Sequence, residues 1–164
     1  MKTLILLSAV PGSGKSTWAK QYQNEHQNVF IVSSDEIRLE LTGKAQSFSK
    51  EDMVWKLYLQ RINEYAEKYD DVTVIADSTN LQNQYRKFYH DNTPLFDKHI
   101  LVLFNIPYDI CLLQNNLRPE GKIVPLYAME MLHKEFEEPT KEIIDLYDEY
   151  RVIGQSFISE SLKK

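Results

Sequence analysis

The chain reads as an α/β domain on a parallel sheet covered on both faces, and two observations predict this. Short, continuous apolar runs alternate with helical patterns along the sequence, and the first run leads straight into a glycine-rich turn of phosphate-binding type. The runs lie at Thr3–Ser8, Val29–Ser33, Val72–Ala76, Ile100–Phe104 and, with a weaker signal, Tyr150–Ile153. They are unbroken rather than alternating, which is the pattern of strands buried on both faces, and the helical stretches between them serve as crossovers. At 164 residues the chain is expected to form one domain over 1–164, large enough for a core without staples. In such sheets ligands collect at the C-terminal ends of the strands, so the residues just after each run are the ones to inspect.

After the first run comes Ala9-Val10-Pro11-Gly12-Ser13-Gly14-Lys15-Ser16-Thr17. Gly12 and Gly14 let consecutive N–H groups converge on phosphate oxygens, Lys15 is placed to reach the β- and γ-phosphates, and the Ser16 hydroxyl is placed to complete a Mg²⁺ shell. The helix that follows would aim its positive N-terminal end at the same anion. The pattern G-x-x-x-x-G-K-[ST] has Ala9 at its first glycine, the smallest possible replacement. ATP with Mg²⁺ is the expected cofactor pair, held by Gly12, Ser13, Gly14, Lys15, Ser16 and Thr17. Trp18 behind the loop reads as packing.

The second run ends in Ser33-Ser34-Asp35-Glu36-Ile37-Arg38. Spacing i, i+3 lets Asp35 and Arg38 face one pocket. Phosphoryl transfer needs alignment, charge neutralisation and an acceptor for a hydroxyl proton; Asp35 suits the last task, and the planar Arg38 fork suits an anionic acceptor. Ser34 or Asp35 would equally serve as a helix N-cap, and the two roles can coexist. Further on, Val54, Leu57, Tyr58, Ile62, Tyr65, Ala66 and Tyr69 keep helical spacing behind Ser49-Lys50-Glu51-Asp52, which resembles a capping box. This is a covering helix whose aromatics belong to the core. The third run ends at Asp77, either the start of a turn or a carboxylate beside Ser16 that holds a Mg²⁺-bound water.

Helical stretches at Tyr108–Gln114 and Pro125–Phe136 flank the polar, Pro- and Gly-broken segment Asn115–Lys122, so a mobile flap or lid over about 114–125 is expected. Its cations Arg118 and Lys122 are candidates to close over a triphosphate. Pro139 suits the first turn of a last helix reaching about Asp148. The tail Ser156–Lys164 carries no motif.

A net charge of −5 and a pI near 5.4 argue against a broad basic face that grips long nucleic acid by counterion release. One cysteine, Cys111, excludes an internal disulfide framework and reads as a small buried hydrophobe. His26, His90, His99 and His133 are scattered and form no zinc-type pair. The start of the chain superficially resembles a secretory signal, but cleavage there would remove the strand that presents Lys15; no apolar run approaches a membrane span, and a cytoplasmic location is expected. No partner protein can be inferred.

Taken together, Val10–Ala19, Ser34-Asp35-Glu36-Ile37-Arg38, Asp77-Ser78-Thr79-Asn80-Leu81 and Arg118 with Lys122-Ile123-Val124-Pro125 resemble the kinase domain of phage-type 5′-hydroxyl polynucleotide kinases, from Leu4 to about Glu138. Zeta toxins, gluconate kinases and antibiotic phosphotransferases look similar at this level. The resemblance implies a three-layer P-loop fold with an NMP-kinase-like sheet of order 2-3-1-4-5 and a helical lid. It also implies Lys15 and Ser16 on ATP·Mg²⁺, Asp35 as general base, Arg38 on the acceptor phosphate, Asp77 at the metal and Arg118 as lid arginine. The family's lid often carries a second arginine one turn earlier, where this chain has Gln114 and Asn115. The implied activity is transfer of the ATP γ-phosphate to a hydroxyl, at a nucleic acid 5′-OH end or on a small acceptor such as a sugar, nucleotide sugar or antibiotic. A nucleotide-binding regulatory ATPase is a third reading. Adenine contacts near Arg151–Gly154 rest on fold analogy alone.

Overall fold

A computed structural model describes residues 1–157. Most of the tail discussed above, 158–164, lies outside the described residues.

Five strands form one parallel sheet in the order β2-β3-β1-β4-β5. They are β1 (Lys2–Ser8), β2 (Val29–Ser33), β3 (Val72–Asp77), β4 (Lys98–Phe104) and β5 (Glu149–Ile153). Each contains its predicted run, four of them extended by a residue or two at one end, and the strand order is the expected one. The helices are α1 (Lys15–Glu25), α2 (Ser34–Thr42), α3 (Glu51–Lys68), α4 (Asn83–Asp91), α5 (Tyr108–Asn116), α6 (Leu126–Glu135) and α7 (Lys141–Leu146).

The side-chain period of two sorts the central strand between the two faces of the sheet. Leu4 and Leu6 of β1 join Val74 and Ala76 of β3 under α3, α4 and α7, through Val54, Tyr58, Ile62, Ala66, Tyr89 and Ile143. Ile5 and Leu7 face the other way with Ile75, Val102 and Phe104, against Ala19 of α1. All four β1 leucine and isoleucine side chains are 0% exposed, which is why their run is continuous. A third cluster of Cys111, Val124 and Met129 packs α5 and α6 beside Val10. Among the described residues no helix is long and apolar enough to cross a membrane.

Three local expectations need correction. The cap of α2 is Ser33, whose Oγ accepts from the Glu36 N–H at 3.3 Å, one residue ahead of the expected Ser34 or Asp35. Ser49 makes no capping box: α3 starts after Lys50 without a side-chain cap, and the Ser49 hydroxyl meets that of Ser47 instead. Pro139 precedes the last helix rather than entering its first turn; Thr140 caps α7, accepting from the Ile143 N–H.

Candidate functional site

The C-terminal ends of β1, β2 and β3 lie side by side, with Ser33 and Asp77 as register partners. The loop after β1 is therefore flanked by the acidic ends of its neighbours. Gly12 has a φ of 85°, and a Cβ built there would sit 2.2 Å from the Cys111 carbonyl oxygen. Only a residue without a side chain lets the loop pass this close to α5. Gly14 caps α1 without a side chain, and the first turn of α1 holds no acidic residue, so the positive end of the helix is left for an external anion.

The buried groups of the loop fit a phosphate chain. Lys15 is 8% exposed and makes no hydrogen bond or ion pair among the described residues, a state costly for a buried ammonium unless an anion joins it. The Ser13 hydroxyl is likewise buried without a partner. Ser16 donates its hydroxyl to Asp77 Oδ2 at 2.9 Å, which pairs two hard oxygen donors of the kind Mg²⁺ prefers when water and phosphate complete its shell. Thr17 sits in the exposed first turn of α1.

Asp35 and Asp77 line two cavities at once. One, of about 640 Å³, is bounded also by Ser16, Arg118 and Lys122; the other, of about 800 Å³, by Lys15, Arg38 and Glu51. Because Ser33 caps α2, the Asp35 carboxylate is free for longer contacts. Its Oδ1 accepts from Arg38 Nη1 at 2.8 Å, and its Oδ2 lies 3.7 Å from Arg118 Nη2. Lys122 reaches Glu36 at 3.6 Å. Both flap cations thus hover over the acidic first turn of α2 through long, partly solvated contacts, a kind that contributes little, about 0–1 kcal/mol. They are free to exchange a carboxylate for a more highly charged anion.

Arg38 is held far more firmly. Its Nε and Nη2 donate to Glu51 Oε1 and Oε2 at 2.6 and 3.0 Å, and its guanidinium carbon lies 5.1 Å from the Phe48 ring centre and 5.3 Å from that of Trp55. Burial by itself would lower the guanidinium's pKa, but hydrogen bonding and charge from Glu51, followed by Asp35, raise it above its ordinary value. Arg38 therefore bridges two carboxylates and fixes the direction of Asp35.

The structure also brings in residues that sequence reasoning missed. Arg86, 0% exposed, donates to Ser8 Oγ, to the Asn80 and Leu81 carbonyls and to Asn83 Oδ1. Asn80 sits at a φ of 43° and donates its side-chain amide to the Leu7 carbonyl, while the Ala9 N–H donates to the Thr79 carbonyl. The loop that follows Asp77 is thereby stitched to the strand that enters the phosphate loop. Gln114 and Asn115, noted in the sequence only as a missing arginine, anchor the flap. Gln114 Nε2 donates to the Gly12 carbonyl, and Asn115, 2% exposed and inside α5, exchanges two hydrogen bonds with the Val124 backbone. The flap proper therefore starts after α5, not at Asn115. Cys111 is buried as expected, and desolvation pushes its thiol up to about 11. Trp18 stacks on Tyr22 and meets Phe104 edge-on, also as expected. Val152 and Arg151 near the proposed adenine region are exposed.

Solved structures with this fold include the Pnkp1/Rnl/Hen1 RNA repair complex, at 21% identity and TM-score 0.70 over 90% of this chain and 46% of that one. They include a fungal RNA kinase, at 18% identity and TM-score 0.65 over 92% and 73%, and a gluconokinase from Sinorhizobium meliloti 1021, at 16% identity and TM-score 0.60 over 93% and 81%. The chain thus spans about half of the first of these. At such identities the likeness establishes the fold alone, a P-loop NTPase-like α/β sheet with helices on both faces. The AAA domain family profile matches residues 4–139, a span that holds the phosphate loop, Asp35, Asp77 and the flap, and the chain belongs to that family.

Proposed function

We propose that this chain is an ATP-dependent phosphotransferase that moves the γ-phosphate of ATP to a hydroxyl, the 5′-OH end of a nucleic acid in the leading reading. The observation that carries the proposal is Asp35: a carboxylate aligned by Arg38, facing two cavities, one of which holds the Ser16–Asp77 pair and the other the unpaired Lys15.

In this reading the loop from Gly12 to Thr17 and the N-terminus of α1 take the phosphate chain, with Lys15 neutralising its outer oxygens. Ser16 and Asp77 hold Mg²⁺, which when bound offsets charge on the phosphates. Asp35 accepts the proton of the acceptor hydroxyl as that oxygen bonds to the γ-phosphorus; the bond from phosphorus to the β–γ bridging oxygen breaks, and ADP leaves. Arg118, in the lid that follows α5, exchanges its long contact with Asp35 for the transferring group, where a guanidinium best matches the charge that develops. Arg38 orients Asp35 and offers its remaining donors to an acceptor phosphate.

A labelled-phosphate transfer assay with 5′-OH oligonucleotides tests this reading, and phosphorylated oligonucleotide is the expected product. A small-molecule acceptor is the second reading. The acidic surface, at net charge −5, and the fold shared with a gluconokinase favour it. Labelling of a small alcohol from a metabolite panel, with none of the oligonucleotide, would select it.

A further inference from the structure

The cavity of about 800 Å³ has a wall that the chemistry of phosphate transfer does not use. Phe48 before α3, Trp55 on α3, Tyr85 and Phe88 on α4, and Tyr127 with Met131 on α6 all line it. Phe48, Tyr85, Phe88 and Tyr127 are 53, 47, 45 and 73% exposed, a cost a fold does not ordinarily carry on four aromatic rings around one opening. Tyr85 and Tyr127 stack on no other ring among the described residues.

The floor of the same cavity carries Asp35 and Lys15. The cavity lies on the α3–α4 side of the sheet, whereas α1, whose N-terminus is open to phosphate, packs against the opposite face. Pro11 and Lys15 of the phosphate loop also line it, so whatever enters here reaches Asp35 beside the N-terminus of α1. The lining also limits what that molecule can be. Its cations are Lys15 and Arg38: the first is assigned to the nucleotide phosphates, and the second is already bridged to two carboxylates. Asp35, Glu51 and Glu135 add negative charge. A polyanion held through several phosphates does not fit such a wall, and neither does a sugar acid, which offers a carboxylate and hydroxyls but no ring face. A flat, uncharged heteroaromatic group does fit, since rings bind rings of any sequence through their faces.

We infer that this aromatic chamber is a stacking site for the nucleobase of the acceptor's terminal nucleoside, and that base stacking, beyond the one phosphate contact left open to Arg38, positions the 5′-OH at Asp35. The inference rests on the proposed nucleic acid reading and deepens it. It matches the acidic pI, because recognition through one stacked base needs no basic track along the strand.

The test compares two 5′-OH oligonucleotides that differ only at the first residue, a normal nucleotide or an abasic tetrahydrofuran analogue, in steady-state transfer with the wild-type chain, Tyr85→Ala and Tyr127→Ala. The two variants lie on different helices at exposed positions, so loss of folding in one leaves the other informative. The wild type is expected to prefer the base-bearing acceptor by about 5- to 100-fold in kcat/KM, the range typical of one base stacked on aromatic side chains. The preference is expected to fall in at least one variant through a rise in acceptor KM at unchanged ATP KM. Equal use of both acceptors by the wild type overturns the stacking site while leaving the nucleic acid reading intact. A rise in ATP KM with no change in acceptor preference reassigns the chamber to the adenine and overturns the inference as well. Labelling of neither oligonucleotide overturns the inference together with the reading it rests on.

Discussion

Glu51 grips Arg38 through both carboxylate oxygens, at 2.6 Å to Nε and 3.0 Å to Nη2, and Arg38 in turn holds Asp35 at 2.8 Å. The three residues come from the start of α3 and the first turns of α2, 13 residues apart at the longer step. Glu51→Ala removes the partner of a guanidinium whose side chain is only 9% exposed. We expect a stability loss of about 1–3 kcal/mol in thermal or denaturant unfolding, because a buried cation is left half-satisfied. We also expect lower kcat with little change in ATP affinity, as Asp35 loses its fixed direction. Glu51→Gln, which keeps an acceptor in place, is expected to restore part of both.

Gly12→Ala would drive a Cβ into the Cys111 carbonyl, so the loop must move. A drop in ATP affinity of about tenfold or more, by calorimetry, is expected, with a stability loss of about 1–3 kcal/mol. Gly43→Ala is the contrasting control. It shares a positive φ of 79° but has open space around it, so only the backbone cost of about 1–2 kcal/mol is expected, with nucleotide binding retained.

Arg86→Met leaves Ser8 Oγ and the Leu81 carbonyl without their donor in a fully buried place, while the Asn80 carbonyl keeps the Ser8 hydroxyl. Each such loss costs about 1–3 kcal/mol, so unfolding free energy is expected to fall by at least about 2 kcal/mol. Because the same residue ties Asp77's loop to β1, weaker Mg²⁺-dependent nucleotide binding is expected in whatever fraction stays folded.

His99 gives the acid side of the stability profile. Its Nε2 lies 2.8 Å from Thr93 Oγ1, and burial, with help from nearby His90, lowers its pKa below the ordinary histidine value of 6.5. The unfolded chain then binds a proton that the folded chain resists, so this contribution is present above about pH 6.5 and is lost as pH falls through the folded value. Melting temperature is expected to drop between pH 7 and pH 5, and His99→Gln is expected to flatten that slope.

The positions of the strands were legible because doubly buried parallel strands write themselves as continuous apolar runs, as Leu4 to Leu7 do, whereas their order was implied only by the family resemblance. The phosphate loop was legible because its backbone path demands glycines at fixed spacing. What stayed hidden depends on long-range geometry. Glu51 is an ordinary first-turn acid until α2 and α3 pack and it closes on Arg38. Arg86 looks like any helix cation beside Lys87, yet one turn of α4 points it into the core. Trp55 packs partly against the core and partly lines a cavity, and only the fold brings Tyr85 and Tyr127 to the same cavity.

The central claim is that Asp35 accepts the proton of the alcohol while the loop around Lys15 holds ATP. The most direct measurement is phosphate transfer from γ-labelled ATP to a 5′-OH oligonucleotide by the wild-type chain and by Asp35→Asn, with ATP affinity measured on both. The account predicts labelled product from the wild type and a fall of about 10²–10⁴-fold in kcat for the variant, at an ATP affinity within a few-fold of the original. Equal transfer by the two proteins, or no binding of ATP to either, would contradict it.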